Sequence, residues 1–354
     1  MYEPLLAHAP RLLSLDALRG ITMALMLLVD VAGDNISWLG HAKWSGLNLA
    51  DFVMPAFLFT MGSAIGIKSG RPDYGRFLRL FFVGVFIQGS WLPINKVNVG
   101  IDLTQFRIMG ILQRIGICYL LMSYLSLVKE KFQLLAVFTL VGVQTAISLF
   151  VQVPGCLASG DFSIACNSQA WIDRLVLGSN HMYTNEYDPE GLVSTLGCLL
   201  PTFVGFLAVK RARYRVSLSL GLILTGLAVR YSSNIPFNKA LWTLPYNLVT
   251  AGGSLGLFAL LDWCTISKAN PFVHLGSNAI LFFVMSDCGG VLSVFLNSVY
   301  VPTEEGNTGI VDLFLKVLHV QTHPKNILVF AIIQLAFYMV LTRVMFYKKI
   351  FYKI

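Results

Sequence analysis

The sequence predicts an all-α fold, a polytopic membrane helical bundle of about ten transmembrane helices with both termini in the cytosol. Three observations carry that expectation. Hydrophobic residues make up 56% of the 354 positions and charged residues only 12%, roughly half the charged share of a soluble domain. The apolar residues fall into runs near the ~20 residues that cross a bilayer. The connections between those runs alternate between rich and poor in Lys and Arg.

Taken in order, the expected spans are Leu18–Ala32, Leu47–Ile67, Phe77–Pro93, Ile108–Val128, Phe132–Val153, Leu192–Val209, Val216–Val229, Leu241–Leu261, Phe272–Leu296 and Ile327–Tyr347. The N-terminal stretch MYEPLLAHAPRLLSLDALRG lacks the basic, apolar and small-residue order of a cleavable leader, so the first span itself is expected to begin insertion. Gly and Pro inside the spans, such as Pro55, Gly62, Gly197, Pro201 and Pro245, are tolerated in lipid because neighbouring helices satisfy the freed backbone groups.

Orientation follows from the connections. One set carries Arg11 and Arg19, then Lys68, Arg71, Arg76 and Arg79, then Lys129 and Lys131, then Lys210 to Arg215, Lys268, and finally Lys348, Lys349 and Lys353. The alternate set is poorer in cations. The positive-inside rule then places both termini in the cytosol and His41, the Pro154–Glu190 loop, the Ser232–Lys239 loop and the Val301–His323 loop on the lumenal or exterior side. Most of the net charge of +8 is therefore a topology signal and not a nucleic-acid footprint.

No internal repeat or low-complexity tract interrupts the chain, and residues 1–354 read as a single transmembrane domain. The segment Gly309–Val320 has helical apolar spacing and is expected along the membrane interface. Of six cysteines, Cys118, Cys198, Cys264 and Cys288 lie in or near apolar runs. Cys156 and Cys166 share the long polar loop, where an oxidising compartment permits a disulfide. There is no metal-binding cluster, Walker loop, dinucleotide fingerprint or nucleophile elbow.

The chemistry concentrates in Ser14–Gly62. An Asp at mid-membrane costs at least ~2.5–3.5 kcal/mol on insertion scales, yet Asp30 and Asp51 sit in two successive spans with His41 and Trp44 in the short crossing between them. Folded as a hairpin, His41, Asp30 and Asp51 converge near the lumenal boundary. A histidine with one ring nitrogen held by a carboxylate is an oriented general base or nucleophile. Helix capping by the aspartates and an interfacial histidine is the plainer alternative. Gln113 and Arg114 open the fourth span, and Arg114 must face protein or water. Asn238, Lys239 and Trp242 mark a lumenal turn, and Asn278 lies at the ninth span's cytosolic entrance. Read from the residues alone, capping or snorkelling is the plainer account of Asn238, Lys239 and Asn278.

These motifs together resemble the heparan-alpha-glucosaminide N-acetyltransferase family: Ser14-Leu-Asp16-Ala-Leu-Arg19-Gly20, Asp30, His41-Ala-Lys-Trp44-Ser-Gly46, Ala50-Asp51-Phe-Val-Met-Pro55, Gly110-Ile-Leu-Gln113-Arg114, Asp173-Arg174, Asp188-Pro-Glu190-Gly191, Asn238-Lys239-Ala-Leu-Trp242 and Pro271-Phe…Asn278. The resemblance runs from Arg11 onward, in order. It implies a multi-pass acetyltransferase that moves acetyl from cytosolic acetyl-CoA to the terminal glucosamine of heparan sulfate or a related glycan on the lumenal side. The family's active-site histidine falls on His41, its motif carboxylates on Asp16 and Asp51, and its motif arginines on Arg19 and Arg114. The chain is expected to be a short form without the lumenal N-terminal domain of longer members.

The resemblance further implies acetyl-CoA as co-substrate, an amino-sugar or glycan acceptor, and residence in a lysosomal or vacuolar membrane among membrane lipid. Nucleic acid is not an expected partner, and a homodimer is left open. Catalysis is assigned to His41 with Asp30 and Asp51; binding is assigned to Asp16, Arg19, Trp44, Gln113, Arg114, Asn238, Lys239, Trp242 and Asn278. The tail Tyr347-Lys-Lys-Ile350 has the form of a tyrosine-based sorting signal. The rival class is a secondary transporter of a small polar solute, since buried charges also mark solute pathways.

Overall fold

The computed structural model describes residues 12–68, 70–88, 104, 106–287, 300–303, 306–309, 316–317 and 326–352. Its helices are α1 (Leu13–Ala32), α2 (Val53–Lys68), α3 (Tyr74–Gln88), α4 (Ile111–Leu125), α5 (Glu130–Phe150), α6 (Ser168–Leu177), α7 (Leu192–Gly197), α8 (Leu199–Lys210), α9 (Arg215–Ser233), α10 (Leu244–Trp263), α11 (Pro271–Ser277), α12 (Ala279–Asp287) and α13 (Ile327–Tyr347). A two-stranded antiparallel hairpin, Tyr300–Thr303 with Gly306–Gly309, is the only β-structure among the described residues. It falls in the segment expected to be a lumenal loop. The expected interfacial stretch Gly309–Val320 and Cys288 lie largely outside the described residues.

Six of the described helical segments are long and apolar enough to cross a membrane: Leu49–Lys68, Glu130–Phe150, Leu192–Lys210, Ala212–Ser233, Leu244–Trp263 and Ile327–Tyr347. Helix α4 is apolar but shorter, and α1 has the length but carries Asp16, Arg19 and Asp30. The six divide by burial. Leu49–Lys68, Leu192–Lys210 and Leu244–Trp263 bury 61% or more of their apolar windows, whereas α5, α9 and α13 bury 28% or less. The outer helices expose Leu135, Phe138, Leu220, Leu224, Phe337 and Val340. In water that would be a far larger apolar surface than a soluble monomer shows. The protein is a membrane protein whose outer helices face lipid.

Close backbone approach holds the centre together, as expected where lipid offers no hydrophobic driving force between helices. A Cβ on Gly62 would sit 1.8 Å from the Thr202 carbonyl oxygen, and one on Gly205 would sit 2.0 Å from that of Phe59. Ser63 Oγ donates to the Gly205 carbonyl at 2.9 Å, so α2 and α8 are both packed and hydrogen-bonded. Helices α1 and α11 repeat the device, with Gly20 against the Phe272 carbonyl and Gly276 against that of Asp16. The main core gathers Leu18, Leu58, Phe59, Phe203, Trp242, Tyr246 and Phe258 between these pairs.

The helix expected over Leu192–Val209 is interrupted at Cys198, which separates α7 from α8. Between α5 and α7 the long loop folds on itself. Cys156 and Cys166 are disulfide-bonded, and Asn167 caps α6 by accepting from Ala170 N at 2.8 Å. Cys118 and Cys198 are buried, but Cys264, just beyond α10, is exposed.

Candidate active site

Asp51 lies on the short turn Leu49–Phe52 that leads into α2, three residues after the turn's N-cap, Asn48. That position gives it two tasks. Its Oδ2 accepts the Asn48 backbone N–H at 2.8 Å, the reciprocal half of a capping box. Its Oδ1 lies 2.8 Å from His41 Nδ1. Capping and histidine contact, alternatives in the sequence, are both present, one oxygen each. The Asp51 carboxylate is buried, while the His41 side chain is 42% exposed. A carboxylate oxygen accepts, so in this contact Nδ1 is the donor, the tautomer in which Nε2 carries the ring's lone pair.

The loop bearing His41 is fixed by its neighbours. Asn48 Nδ2 donates to the carbonyls of Ser37 and Gly40 at 3.0 Å, and Tyr246 Oη donates to the Asp51 carbonyl at 2.7 Å. Gly46, at φ 144°, donates its N–H to the Phe237 carbonyl at 2.9 Å; most side chains are disfavoured at that φ. This bond joins the His41 loop to the turn before α10.

That turn presents Lys239. Asn238 Oδ1 accepts from Leu241 N at 2.9 Å, and Asn238 N donates to Thr243 Oγ1 at 3.1 Å. Trp242, fully buried, takes the left-handed conformation at φ 46°, and its carbonyl accepts from Asn247 Nδ2 and Gln144 Nε2. Lys239 Nζ then lies 3.0 Å from His41 Nε2 and 3.3 Å from Nδ1. Burial pushes the Lys239 ammonium below the usual lysine range, outweighing the opposing fields of Glu190, Asp51 and Asp30; Arg114 adds to the decrease.

Beside this pair is a second polar knot that joins the segment before α4, the polar loop and the start of α7. Arg107 donates to both carboxylate oxygens of Asp188, Nε at 3.1 Å and Nη2 at 2.6 Å, and Nη2 also reaches Glu190 at 2.6 Å. Tyr183 lies against the Arg107 guanidinium. Burial alone would raise Glu190, but Arg114, Arg107 and Lys239 together hold its carboxyl below the usual range. Asp173 accepts the N–H groups of Leu192 and Val193 at the start of α7. Burial nevertheless dominates and pushes its carboxyl from 3.8 to about 6.

The remaining sequence candidates are placed as follows. Arg114 is fully buried, donating to Ser194 Oγ at 2.5 Å and to the Gly191 carbonyl at 3.2 Å, with Trp242 beneath its guanidinium. Gln113 is buried and donates to the Ile108 carbonyl. Trp44 Nε1 donates to the Phe162 carbonyl at 2.7 Å, and its ring meets that of Tyr187 edge-on at 4.9 Å. Asp30 is exposed at the end of α1, near enough to contribute to the Lys239 field.

Asp16, Arg19 and Asn278 form a separate group. Arg19 Nη1 lies 3.4 Å from Asp16 Oδ1 and 3.5 Å from the Gly276 carbonyl. Asn278 accepts from Tyr352 N and donates to the Ile350 carbonyl, gripping the C-terminal backbone. Fourteen residues of helix separate Asp16 from Asp30, about 21 Å at 1.5 Å per residue. The candidates thus fall at two opposite ends of the bundle, with His41 at one and Arg19 at the other.

The family model of the heparan-alpha-glucosaminide N-acetyltransferase catalytic region matches residues 11–189, half of the chain. The chain belongs to this family. Over an alignment of 428 residues it is 30% identical to heparan-alpha-glucosaminide N-acetyltransferase of Homo sapiens, covering 98% of this chain and 60% of that protein. The Mus musculus protein of the same name is 28% identical over 423 residues, covering 98% of this chain and 61% of its own length. The chain therefore spans about three fifths of these relatives. The matched region of the family model contains the His41–Asp51 pair, Arg114 and the Arg107–Asp188 bond, and ends just before Glu190.

Lys239 and Glu190 complete the geometry from outside that region. The Lys239–His41 contact joins residues 198 apart, and the Arg107 grip on Asp188 joins residues 81 apart. The motif Asp188-Pro-Glu190-Gly191 was visible in the sequence as a polar cluster. Nothing in it named Arg107 as its partner.

Proposed function

We propose that this chain is a transmembrane acetyltransferase that moves acetyl from cytosolic acetyl-CoA to an amino-sugar acceptor, the terminal glucosamine of heparan sulfate or a related glycan, on the lumenal side. The observation that carries the reading is the His41–Asp51 pair with Lys239 against the same imidazole. Family membership supports the reaction class. The topology proposed with it has about ten spans and both termini in the cytosol, in a lysosomal or vacuolar membrane. On that arrangement the Asp16–Arg19–Asn278 group lies on the donor side and His41 on the acceptor side.

The residues divide the work by chemistry. A glucosamine amine attacks only when neutral, so a base is needed where it reacts. His41 Nε2 takes that proton, or attacks the thioester itself to form an acetyl-imidazole that the amine then cleaves. Asp51 holds the ring in the tautomer that exposes Nε2 and steadies the imidazolium that forms, as the carboxylate of a hydrolase triad does. As an ammonium, Lys239 is placed to stabilise negative charge developing on the carbonyl oxygen. The Arg107–Asp188–Glu190 knot and Trp44 fix the polar loop beside the site, where a sugar would be held.

The test is acetyl transfer by purified protein from labelled acetyl-CoA to a panel of amino sugars. Labelled N-acetyl sugar with stoichiometric release of CoA is expected. Solute uptake into vesicles with no CoA release would favour a transporter instead.

A further inference from the structure

We propose that Lys239 is a self-acetylation site: without an acceptor, its amine takes the acetyl group handled at His41, so the chain modifies itself where an acceptor amine is meant to react. The inference rests on the acetyl-transfer reading above.

The geometry comes from two distances. Lys239 Nζ is nearly equidistant from the two ring nitrogens of His41, 3.0 Å from Nε2 and 3.3 Å from Nδ1. A point in the ring plane with those distances would lie off the Cε1 edge and collide with Cε1. Nζ therefore lies over the face of the imidazole, not along the in-plane lone pair of Nε2. Asp51 already occupies the in-plane direction at Nδ1. The in-plane direction at Nε2 is where an acetyl group would be carried, and a planar acetyl-imidazole is attacked from above or below its plane. Lys239 offers a primary amine on such a face. An acceptor glucosamine would offer the same functional group.

The surroundings suit the chemistry. Lys239 is half-buried, fixed in place by the buried Asn238 turn and still reachable from outside. The amine reacts only when neutral. Burial favours the neutral form against the carboxylates Glu190, Asp51 and Asp30, and Arg114 favours it further.

The step balances without any further reagent. The lone pair of neutral Nζ forms a C–N bond to the acetyl carbon. The bond that breaks is either C–Nε2 of an acetyl-imidazole, formed after CoA thiolate has left, or C–S of the thioester directly. The proton lost by Nζ goes to His41 Nε2 in the first route, and through His41 to the departing thiolate in the second. The product is an acetyl-lysine amide, neutral and stable to hydroxylamine, whereas an acetyl-imidazole is cleaved by it.

The experiment incubates the full-length protein with labelled acetyl-CoA and no amino sugar, treats it with neutral hydroxylamine, and maps retained acetyl groups by peptide mass spectrometry. CoA release with amino sugars is measured in parallel. The inference predicts a hydroxylamine-stable acetyl group on Lys239, absent in His41→Ala and suppressed by added glucosamine. In Lys239→Arg, which keeps the charge and removes the nucleophile, the stable label at this position is lost while a hydroxylamine-labile label on His41 is still sought. Turnover with amino sugars but an unmodified Lys239 overturns the inference and leaves the acetyl-transfer reading standing. No CoA release with any acceptor and no label overturns both. Equal labelling of Lys239 in His41→Ala attributes the modification to non-enzymatic acetylation and also overturns it.

Discussion

His41 Nδ1 lies 2.8 Å from Asp51 Oδ1, and the other oxygen of that carboxylate is held by the backbone N–H of Asn48. The carboxylate is therefore fixed before it orients the ring. Replacing it with an amide keeps the shape, but the amide oxygen and nitrogen cannot both satisfy a backbone donor and a ring N–H without choosing sides. Asp51→Asn is expected to lower kcat for acetyl transfer by about 10²–10⁴-fold, with KM for acetyl-CoA changed far less. Steady-state kinetics with donor and acceptor varied separately check this. Equal losses in kcat and in folded yield would mean a merely structural carboxylate.

Arg107 is bonded to both Asp188 and Glu190. Removing it leaves a buried carboxylate without its partner, a change that typically costs about 3–5 kcal/mol. Arg107→Gln is expected to lower the thermal midpoint of the detergent-solubilised protein markedly. Arg107→Lys should recover only part of the loss, because the fork that meets both Asp188 oxygens needs a guanidinium. Unfolding scans of the three proteins decide it.

Asp173 supplies a pH signature with a definite sign. Its carboxyl is raised from 3.8 to about 6 in the fold, so the folded state keeps a proton that the unfolded chain gives up. The stability it contributes is whole below pH 3.8, falls as pH rises, and is gone above about 6. The whole effect is on the order of 3 kcal/mol. Glu190 acts in the opposite sense: its lowered value gives stability at neutral pH that is lost as pH falls. Thermal unfolding followed from about pH 3 to about pH 7 in wild type and Asp173→Asn separates them. The variant should lose the component that declines with rising pH and keep the Glu190 component.

The α2–α8 contact gives a prediction free of the site's chemistry. Gly205→Ala places a methyl 2.0 Å from the Phe59 carbonyl oxygen, so the helices must separate, and overpacking of this kind costs about 1–3 kcal/mol. Stability in detergent should fall, and the Ser63 hydrogen bond to the residue 205 carbonyl should show faster amide exchange around it. An unchanged midpoint would mean that the helices slide at no cost.

What could be read from the sequence depended on how local the signal was. The six long apolar helices followed from runs of apolar residues, and even the interrupted Leu192–Lys210 segment was legible as one span with Gly197 and Pro201 in it. The His41–Asp51 pair was legible because both residues lie on one short hairpin, ten positions apart. Read from its residues alone Lys239 was a cation at a membrane edge, and the resemblance assigned it to binding; its contact with His41 closes across 198 positions and left no local trace. Arg114 was expected to face protein or water, and it bonds Ser194 Oγ and a carbonyl, while Arg107 makes the ion pairs with the carboxylates of the loop. Asn278 had a cap or a ligand as its natural readings; its grip on the backbone of Ile350 and Tyr352 depends on where the C-terminus returns, which no local pattern reports. That grip also holds the Tyr347–Ile350 tail in a folded form.

Acetyl transfer through His41 across the membrane is tested most directly in sealed vesicles. Wild type and His41→Ala, each reconstituted into sealed vesicles in one orientation, are given acetyl-CoA on the cytosolic face and glucosamine on the lumenal face, and N-acetylglucosamine is measured in the lumen. Product is expected to accumulate with wild type and to stay at the protein-free background with His41→Ala while the variant remains folded. Equal product from the two proteins would contradict transfer through His41.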